Sequence, residues 1–240
     1  MADPFTLIRL IDFETTGAPT EEERHAVCEV GFCDVVQSGG RWTVGDVTSM
    51  LVNPRRPVDI EARAVHHITD VELEAAPDVT IGFRALMEGM DPSCMAFAAH
   101  NADFERQFFG GGDMAWICTL KAAYRIFPDA PRHSNQVLRY FLGIDLDEAL
   151  AMPPHRAGPD AYVTAHLLVR ILETGIDPAE LVRWSNGPAL LPKVNFGKHK
   201  GCRWKDVPTD YLEWIAFKSD MDRDVKANAK HWLKQRGVRA

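Results

Sequence analysis

Two carboxylates stand two residues apart at the end of an apolar run, in the segment Ile11–Gly17. Successive side chains of a β-strand point to opposite faces, so Asp12 and Glu14 share one face of the expected strand. Adjacent carboxylates repel each other and are costly to bury. Mg²⁺ removes that cost, because it binds one or two carboxylates together with substrate phosphates. The pattern predicts a metal site at the end of this strand, and a solvated surface pair is the alternative.

Two later segments carry candidate residues for the same chemistry. Ala99–Arg106 follows an apolar run, opens an expected helix and contains Asp103 and Glu105. His155–Asp160 puts an imidazole in a proline-rich loop and a carboxylate in the first turn of the next expected helix. An imidazole on a loop beside metal-binding carboxylates suits a general base that activates water. An acid in a first turn is also favoured by the helix dipole alone.

An initial meander and then an alternation of strands and helices must position these residues. Apolar, β-branched runs predict strands at Phe5–Phe13, Val27–Gln37, Arg41–Val52, Cys94–Ala99 and Trp116–Cys118. Apolar periodicity predicts helices at Asp78–Glu88, Ala102–Phe109, Leu120–Phe127, Ser134–Leu142, Pro159–Leu172, Asp210–Phe217 and Asp224–Gln235. We also expect a hairpin turn at Ser38–Gly40, a capping box at Thr69–Glu72 and Pro159 at a first helical position. This order predicts an α/β fold, a mixed sheet flanked by helices.

The charge is distributed unevenly along the 240 residues. Residues 1–192 hold 15 basic and 28 acidic residues, a balance of −13, whereas residues 193–240 hold 12 and 6, a balance of +6. The length suits one domain with a small appendage. We expect a main domain at 1–185, a linker at 186–192 and a small basic C-terminal module at 193–240. A basic tail on an acidic body is typical of contact with a polyanion, and a solvated lysine-rich helix is the alternative.

Composition excludes several classes of protein. A hydrophobic content of 46% and a charged content of 25% are globular values. No apolar run reaches the ~18 residues that a membrane-spanning helix needs, and the N-terminus does not read as a signal peptide. The five cysteines form no Cys-x-x-Cys pair, which disfavours a disulfide framework or a structural zinc site. We therefore expect a cytoplasmic protein that does not associate with membranes.

Together, the three segments resemble the DEDDh (DnaQ-like) 3′→5′ exonucleases of the ribonuclease-H-like superfamily. The resemblance rests on the order Asp-x-Glu-Thr-Thr-Gly, His-Asn-Ala-x-Phe-acid and His-x-x-x-x-Asp, and it spans roughly residues 7–175. The fold it implies is a ribonuclease H-like, five-stranded mixed sheet flanked by helices. The tail segments Phe196–Gly201 and Asp210–Trp214 resemble the small C-terminal module of the exonuclease X branch of this family.

The resemblance also implies a role for each matched residue. Asp12 would bridge two Mg²⁺ ions, for which Mn²⁺ is a substitute, and Glu14 and Asp160 would complete the first metal site. His155 would deprotonate the attacking water. The residues implied at the 3′-terminal nucleotide are Thr15, Thr16, Gly17 and Asn101.

Two positions depart from the family pattern. The family usually has Asp where this chain has Glu105, and Asp103 stands two residues before it. Residues two apart on a helix point in nearly opposite directions, so only one of these acids faces the metals; alignment favours Glu105, and Asp103 is its rival. Ala18-Pro19 stands where the family often has a leucine that wedges against the terminal bases, and the acidic run Glu21–Glu23 follows.

The implied activity is metal-dependent hydrolysis from the 3′ end of DNA, which releases nucleoside 5′-monophosphates and serves DNA repair. Nucleic acid 3′ ends are the expected partner, with DNA favoured over RNA. RNA 3′-end trimming and polymerase-associated proofreading are alternatives with the same chemistry, and a catalytically weak nucleic-acid-binding protein is a more remote one.

The basic tail offers candidates for nucleic-acid contact. Cations around an aromatic residue suit a phosphate track with one stacking platform. The candidate residues are Lys198, Lys200, Arg203, Trp204 and Lys205. Burial of Trp204 inside a solvated loop is the alternative.

Overall fold

A five-stranded mixed sheet forms the centre of the computed structural model, which describes residues 5–18, 20 and 23–238. The strands are β1 (Leu7–Thr15), β2 (Val27–Ser38), β3 (Arg41–Leu51), β4 (Met95–Ala99) and β5 (Ala115–Cys118). They lie in the order β3-β2-β1-β4-β5. The β1–β2 and β2–β3 pairs are antiparallel, and the β1–β4 and β4–β5 pairs are parallel. The expected α/β fold is confirmed, with small shifts at the strand ends.

Helices cover the sheet, and two more lie in the C-terminal segment. They are α1 (Ile60–His66), α2 (Asp70–Glu74), α3 (Val79–Met87), α4 (Ala102–Phe108), α5 (Thr119–Ile126), α6 (Asn135–Phe141), α7 (Ala157–Leu172), α8 (Pro178–Asn186), α9 (Thr209–Phe217) and α10 (Arg223–Gln235). The expected hairpin turn is present between β2 and β3, where Gly39 and Gly40 adopt φ of 58° and 79°. The capping box is also present, because Thr69 and Glu72 each accept from the other's backbone N–H.

Two features of the helices differ from the sequence expectations. Helices α1 and α8 lie outside the predicted set, and the predicted boundary between residues 185 and 186 falls in the last turn of α8. Helix α7 begins at Ala157, two residues before Pro159, so the prediction that Pro159 opens this helix is wrong. The physical reason is a side chain from β2: Glu29 Oε2 accepts a hydrogen bond of 3.0 Å from the Ala157 amide and starts the helix earlier.

Helix α7 packs very closely on the meander. A Cβ atom on Gly31 of β2 would lie 2.1 Å from the carbonyl carbon of Ala157. Further along α7, Val163, Leu167 and Ile171 are fully buried in the core cluster beneath the sheet. This contact fixes the first turn of α7 against β2, and with it the carboxylate of Asp160.

The C-terminal segment has its own apolar cluster, which includes Trp204, Leu212 and Ile215. It also contacts the main body, since Arg203 forms an ion pair with Asp129. Trp204 has no exposed surface and lies against Phe196, with ring centroids 6.2 Å apart. The prediction that Trp204 is a stacking platform is therefore wrong, because its ring is needed to fill the core of the tail. Within the described residues, no helix is both long enough and apolar enough to cross a membrane.

Candidate active site

Three carboxylates from two elements meet at the carboxyl-terminal end of β1. Asp12 and Glu14 leave the same face of this strand, and Asp160 reaches them from the first turn of α7. One carboxylate oxygen from each lies within 4.8 Å of those of the other two. The antiparallel meander supplies one half of this cluster and the close α7–β2 contact supplies the other.

The convergence of these groups changes their protonation. Burial, and then the charges of Asp160 and Glu14, hold the pKa of Asp12 well above its ordinary value. Burial, followed by the charge of Asp160, raises the pKa of Glu14 to about 8. The pKa of Asp160 is also raised by burial. The protein alone does not neutralise this cluster, so a bound cation or protons must do so near neutral pH.

Hydrogen bonds from neighbouring segments orient Asp160. The backbone amide of His155 donates to Asp160 Oδ2 at 2.9 Å. Asn135 Nδ2 donates to Oδ1 at 3.2 Å, and Gln136 Nε2 donates to the same oxygen at 3.4 Å. Both amides lie at the start of α6. Sequence reasoning gave neither amide a part in the site.

Helix α4 presents only one of its two acids to the cluster. Glu105 is buried, and its charge contributes to the raised pKa of Asp12. Burial, and then the neighbouring charge of Asp103, raise the pKa of Glu105 to about 8. Its Oε2 is buried with no hydrogen-bond partner among the described residues. An acceptor left unsatisfied beside an anionic cluster suits a ligand for a cation or for its water.

The side chain of Asp103 does not join the carboxylate cluster and forms an ion pair with Lys121. Lys121 Nζ donates to Asp103 Oδ2 at 2.7 Å, to the Ser185 carbonyl at 2.9 Å and to the Gly187 carbonyl at 3.0 Å. An ammonium has three donors, and all three are used here. The alternative that Asp103 serves the metal site is therefore wrong in this structure, because its carboxylate is paired with Lys121 of α5.

His155 sits on an exposed loop directly before α7. Its backbone adopts φ of 60°, the left-handed region that a residue with a side chain rarely occupies. The hydrogen bond from its amide to Asp160 holds this conformation. His155 is exposed, and its backbone contacts Asp160 of the cluster, which suits a base that exchanges protons with solvent.

The predicted nucleotide-binding residues have different fates. Thr16 is fully buried; its amide donates to the Ala26 carbonyl at 2.8 Å, and its hydroxyl accepts from the Ala26 amide at 3.1 Å. The prediction that Thr16 contacts nucleotide is wrong, because these bonds consume its polar groups. Thr15 and Gly17 border an open cavity. Asn101 is exposed at the start of α4 with φ of 114°.

This cavity has a volume of about 530 Å³ and opens beside Glu14. Its remaining lining comprises Ala18, Thr20, Glu23, His25, Asp59, Glu61, Ala62, Val65, His66 and Phe104. His66 Nδ1 accepts from the Ile68 amide at 3.0 Å, so a neutral His66 carries its proton on Nε2 and donates to the Thr15 carbonyl at 3.2 Å. His66 thus fixes the turn after β1. Among the residues that depart from the family, Ala18 is exposed at the cavity, and Pro19, Glu21 and Glu22 lie outside the described residues.

The donor set fits a divalent cation. Asp12, Glu14 and Asp160 supply hard oxygen atoms at mutual distances that one ion can bridge. The buried Glu105 Oε2, left without a donor, adds a fourth carboxylate beside them. A carboxylate set without nitrogen or sulfur ligands is typical of Mg²⁺ or Mn²⁺ rather than zinc.

A mixed sheet that presents such a cluster at the end of its first strand defines a nuclease of the ribonuclease-H-like class. The family model described as Exonuclease (RNase_T) matches residues 10–168, from β1 into α7. The chain belongs to this exonuclease family. It is a DEDDh-type 3′→5′ exonuclease, a phosphodiester hydrolase, and membership of this family implies dependence on divalent metal ions.

Relatives match nearly the whole chain. Exodeoxyribonuclease 10 of Escherichia coli (strain K12) is 30% identical over 235 residues, which cover 95% of this chain and 99% of the relative. The solved structure of exonuclease X in complex with 5′ overhanging duplex DNA is 29% identical with a TM-score of 0.62, over 75% of this chain and 99% of that chain. The nuclease domain of 3′hExo, a DEDDh family member bound to rAMP, is 18% identical with a TM-score of 0.53, over 72% and 94%, and supports the fold alone.

Removal of a cluster charge should stabilise the metal-free protein at alkaline pH. The pKa of Glu14 rises from 4.5 to about 8 on folding, so the stability from this group is full below pH 4.5 and is lost as the pH rises through 8. Asp12→Asn removes an acid whose own pKa is raised by burial and by the charges of Asp160 and Glu14, so its contribution to the same alkaline loss disappears. We expect its Tm in EDTA at pH 8 to exceed that of the parent by about 2–4 °C, which corresponds to about 1 kcal/mol.

The measurement is thermal unfolding between pH 5 and 8, and Asp113→Asn, at an exposed carboxylate before β5, is the control. A parent Tm that does not change with pH, or an equal gain from the control, would contradict the assignment.

Replacing each of the two acids of α4 by its amide should affect activity very differently. We expect Glu105→Gln to lower metal-dependent hydrolysis by about 10- to 100-fold, because it removes a charge beside Asp12. Asp103→Asn should keep activity near that of the parent and lower only the stability, since it weakens the contact with Lys121. Single-turnover rates across a Mg²⁺ titration measure both effects, and the reverse ranking would show that Asp103 serves the metals.

Proposed function

We propose that this chain is a 3′→5′ exodeoxyribonuclease that uses two Mg²⁺ ions, accepts Mn²⁺ in their place and releases nucleoside 5′-monophosphates from DNA 3′ ends. The observation that carries the proposal is the meeting of Asp12, Glu14 and Asp160 at one edge of the sheet, with the unpartnered Glu105 beside them. A site with four acids binds a polyanion only when cations are present. The negative charge of the cluster therefore supports metal dependence, and the nucleic-acid substrate is supported by the relatives.

The protein residues divide the work of hydrolysis. When bound, divalent ions at such a site lower the pKa of the attacking water and stabilise the charge on the leaving oxygen. The carboxylates of Asp12, Glu14 and Asp160 would hold the ions, and the family resemblance gives Asp12 the part of serving both of them. His155 accepts the proton of the water at its imidazole and, because it is exposed, passes the proton to solvent. The cavity beside Glu14 and Thr15 holds the 3′-terminal nucleotide.

DNA is the proposed substrate because of the relatives rather than the pocket. Exodeoxyribonuclease 10 is named as a DNA enzyme and matches this chain almost end to end. The solved exonuclease X complex contains duplex DNA. Among the described cavity residues we identify none that reads a ribose 2′-hydroxyl, the group that separates RNA from DNA. We further propose a role in DNA repair.

A cytoplasmic location is part of this proposal. All five cysteines are free, and Cys28, Cys33 and Cys118 are buried. Unpaired cysteines suit a reducing compartment. The E. coli relative is a bacterial protein of nearly the same extent.

We propose that the lysines of the segment at 193–240 contact the DNA backbone, although Trp204 does not take part. Lys198, Lys200, Arg203 and Lys205 are exposed around two short 3₁₀ turns. Lys198 lies 4.9 Å from the centroid of the Tyr211 ring, which holds its stem along the surface. Exposed cations close in sequence form a track that neutralises successive phosphates.

The activity should be visible on 3′-labelled strands. We expect the parent to release labelled 5′-monophosphate from single-stranded DNA in Mg²⁺ and none in EDTA, with slower release from RNA of the same sequence. His155→Ala should lower turnover by about 10²–10⁴, because it removes the general base, with little change in DNA affinity. Release of mononucleotide in EDTA, or faster cleavage of RNA, would contradict the proposal.

The lysine track should appear in the salt dependence of DNA binding. Binding is measured in an Asp12→Asn background, which lacks a proposed metal ligand, so that the DNA is not degraded. In this background, Lys198→Ala/Lys200→Ala removes two exposed charges. The slope of log K against log salt should then fall by about 1.4 for single-stranded DNA, at ~0.7 per lost phosphate contact. Arg170→Ala/Arg183→Ala removes two exposed charges from the body and serves as the matched control. Equal slopes in the two double variants would exclude the track.

A further inference from the structure

We propose that Glu29, a buried acid of β2 outside the metal cluster, is a positioning residue that holds the His155 loop in its reactive conformation through Arg156. This inference rests on the proposed exonuclease function and on His155 as its general base. It assigns a task to a carboxylate to which neither the sequence motifs nor the metal chemistry gives one.

Glu29 binds the chain directly after His155. Its Oε2 accepts from Arg156 Nε at 2.9 Å and from the Ala157 amide at 3.0 Å. Its Oε1 accepts from Arg156 Nη2 at 2.7 Å and from the Ser49 hydroxyl at 2.9 Å. The four bonds occupy both oxygens, and Glu29 is 2% exposed. The last residue of the loop and the first residue of α7 are thus tied to the sheet.

The same carboxylate is electrostatically unfavourable for the metal-free site. Glu29 stands opposite Glu14 in the β1–β2 register, and its charge contributes to the raised pKa values of Glu14 and Asp12. Burial opposes ionisation of Glu29, but the Arg156 guanidinium and the Ala157 amide hold its pKa below the ordinary value. Glu29 therefore stays charged, and its oxygens are committed to the loop rather than to a metal.

Stability alone is a weak explanation for this pair. A buried ion pair often contributes little, because desolvation offsets its attraction. Its location is informative, since it borders His155, whose left-handed backbone needs restraint on both sides. Asp160 binds the His155 amide, and Glu29 binds the next two residues. The backbone of the base is fixed at both flanks while its imidazole is exposed.

The chain offers a matched control on the same strand. Asp34 of β2 accepts a bidentate pair of bonds from Arg9, from Nε at 2.7 Å and from Nη2 at 2.8 Å. This pair lies away from the carboxylate cluster, and Arg9 also donates to the Leu86 carbonyl at 2.8 Å. Glu29→Gln and Asp34→Asn therefore each remove one charge from a bidentate pair in which one partner is buried and the other is partly exposed, and only the first touches the loop.

The first measurement needs no metal or substrate. Hydrogen exchange of backbone amides in the metal-free protein should accelerate about tenfold over residues 155–158 in Glu29→Gln, because local opening becomes easier. Asp34→Asn should leave this segment unchanged. Unchanged exchange in Glu29→Gln, or equal acceleration in both variants, would overturn the proposal.

The second measurement is a double-mutant cycle with His155→Ala. We expect Glu29→Gln to lower kcat by about 10- to 100-fold with KM nearly constant, because a small displacement of a base is costly. In the His155→Ala background the same change should cost less than about twofold, since coupled residues are not additive. An equal loss in both backgrounds would show that Glu29 acts on the fold or the metals and would overturn the proposal.

Other outcomes remain separable. If His155→Ala is fully active, the proposed general base fails; if the parent degrades no DNA, the proposed function fails, and the exchange data still decide whether Glu29 holds the loop. Arg156→Lys is the milder variant should Glu29→Gln not fold. It keeps the charge and loses the bidentate geometry, so exchange and kcat should change in the same directions by smaller factors. No change in either quantity would overturn the proposal.

Discussion

Repulsion among carboxylates that a fold forces together is the constraint on which this structure depends. Asp12, Glu14 and Asp160 converge within a few ångströms, and burial raises the pKa of each. The fold tolerates this cost because its two supports are independent of the charges. The meander builds one support from backbone pairing, and the apolar face of α7 builds the other. Cation binding then turns an unstable arrangement into the source of function.

Small residues and a single ion pair set the precision of that arrangement. Gly31 allows the start of α7 to approach β2 more closely than any side chain would. Glu29 uses this proximity to start the helix and to bind Arg156. Strand β2 therefore supplies none of the three clustered carboxylates, and yet its contacts with Arg156 and Ala157 position the residues on either side of them, His155 and Asp160. The geometry of the site depends on these supporting residues of β2 as much as on the clustered acids themselves.

The sequence predicts the parts of this design that have local periodicity or a motif. Strand alternation places Asp12 and Glu14 on one face, and helical geometry requires that only one of Asp103 and Glu105 face inward. The sequence does not predict contacts between distant segments, such as that of Glu29 with Arg156, because neither residue has a local pattern that signals the other. The predictions that Thr16 contacts nucleotide and that Trp204 is a stacking platform are wrong for the same reason. Their burial depends on Ala26 and on the tail core, which no motif describes.

Lys121 has a consequence for how the C-terminal segment is joined to the body. It binds the carbonyls of Ser185 and Gly187, and Asn228 of α10 donates to the Ala189 carbonyl at 2.6 Å. The connection is thus bound to the body at residues 185 and 187 and to α10 at residue 189, contacts that a flexible tether lacks. A flexible tether spreads a binding surface over many positions, whereas a fixed one gives a high effective concentration at a single span. A nucleic-acid strand that contacts both the body and the C-terminal segment would consequently have to span one fixed distance between them.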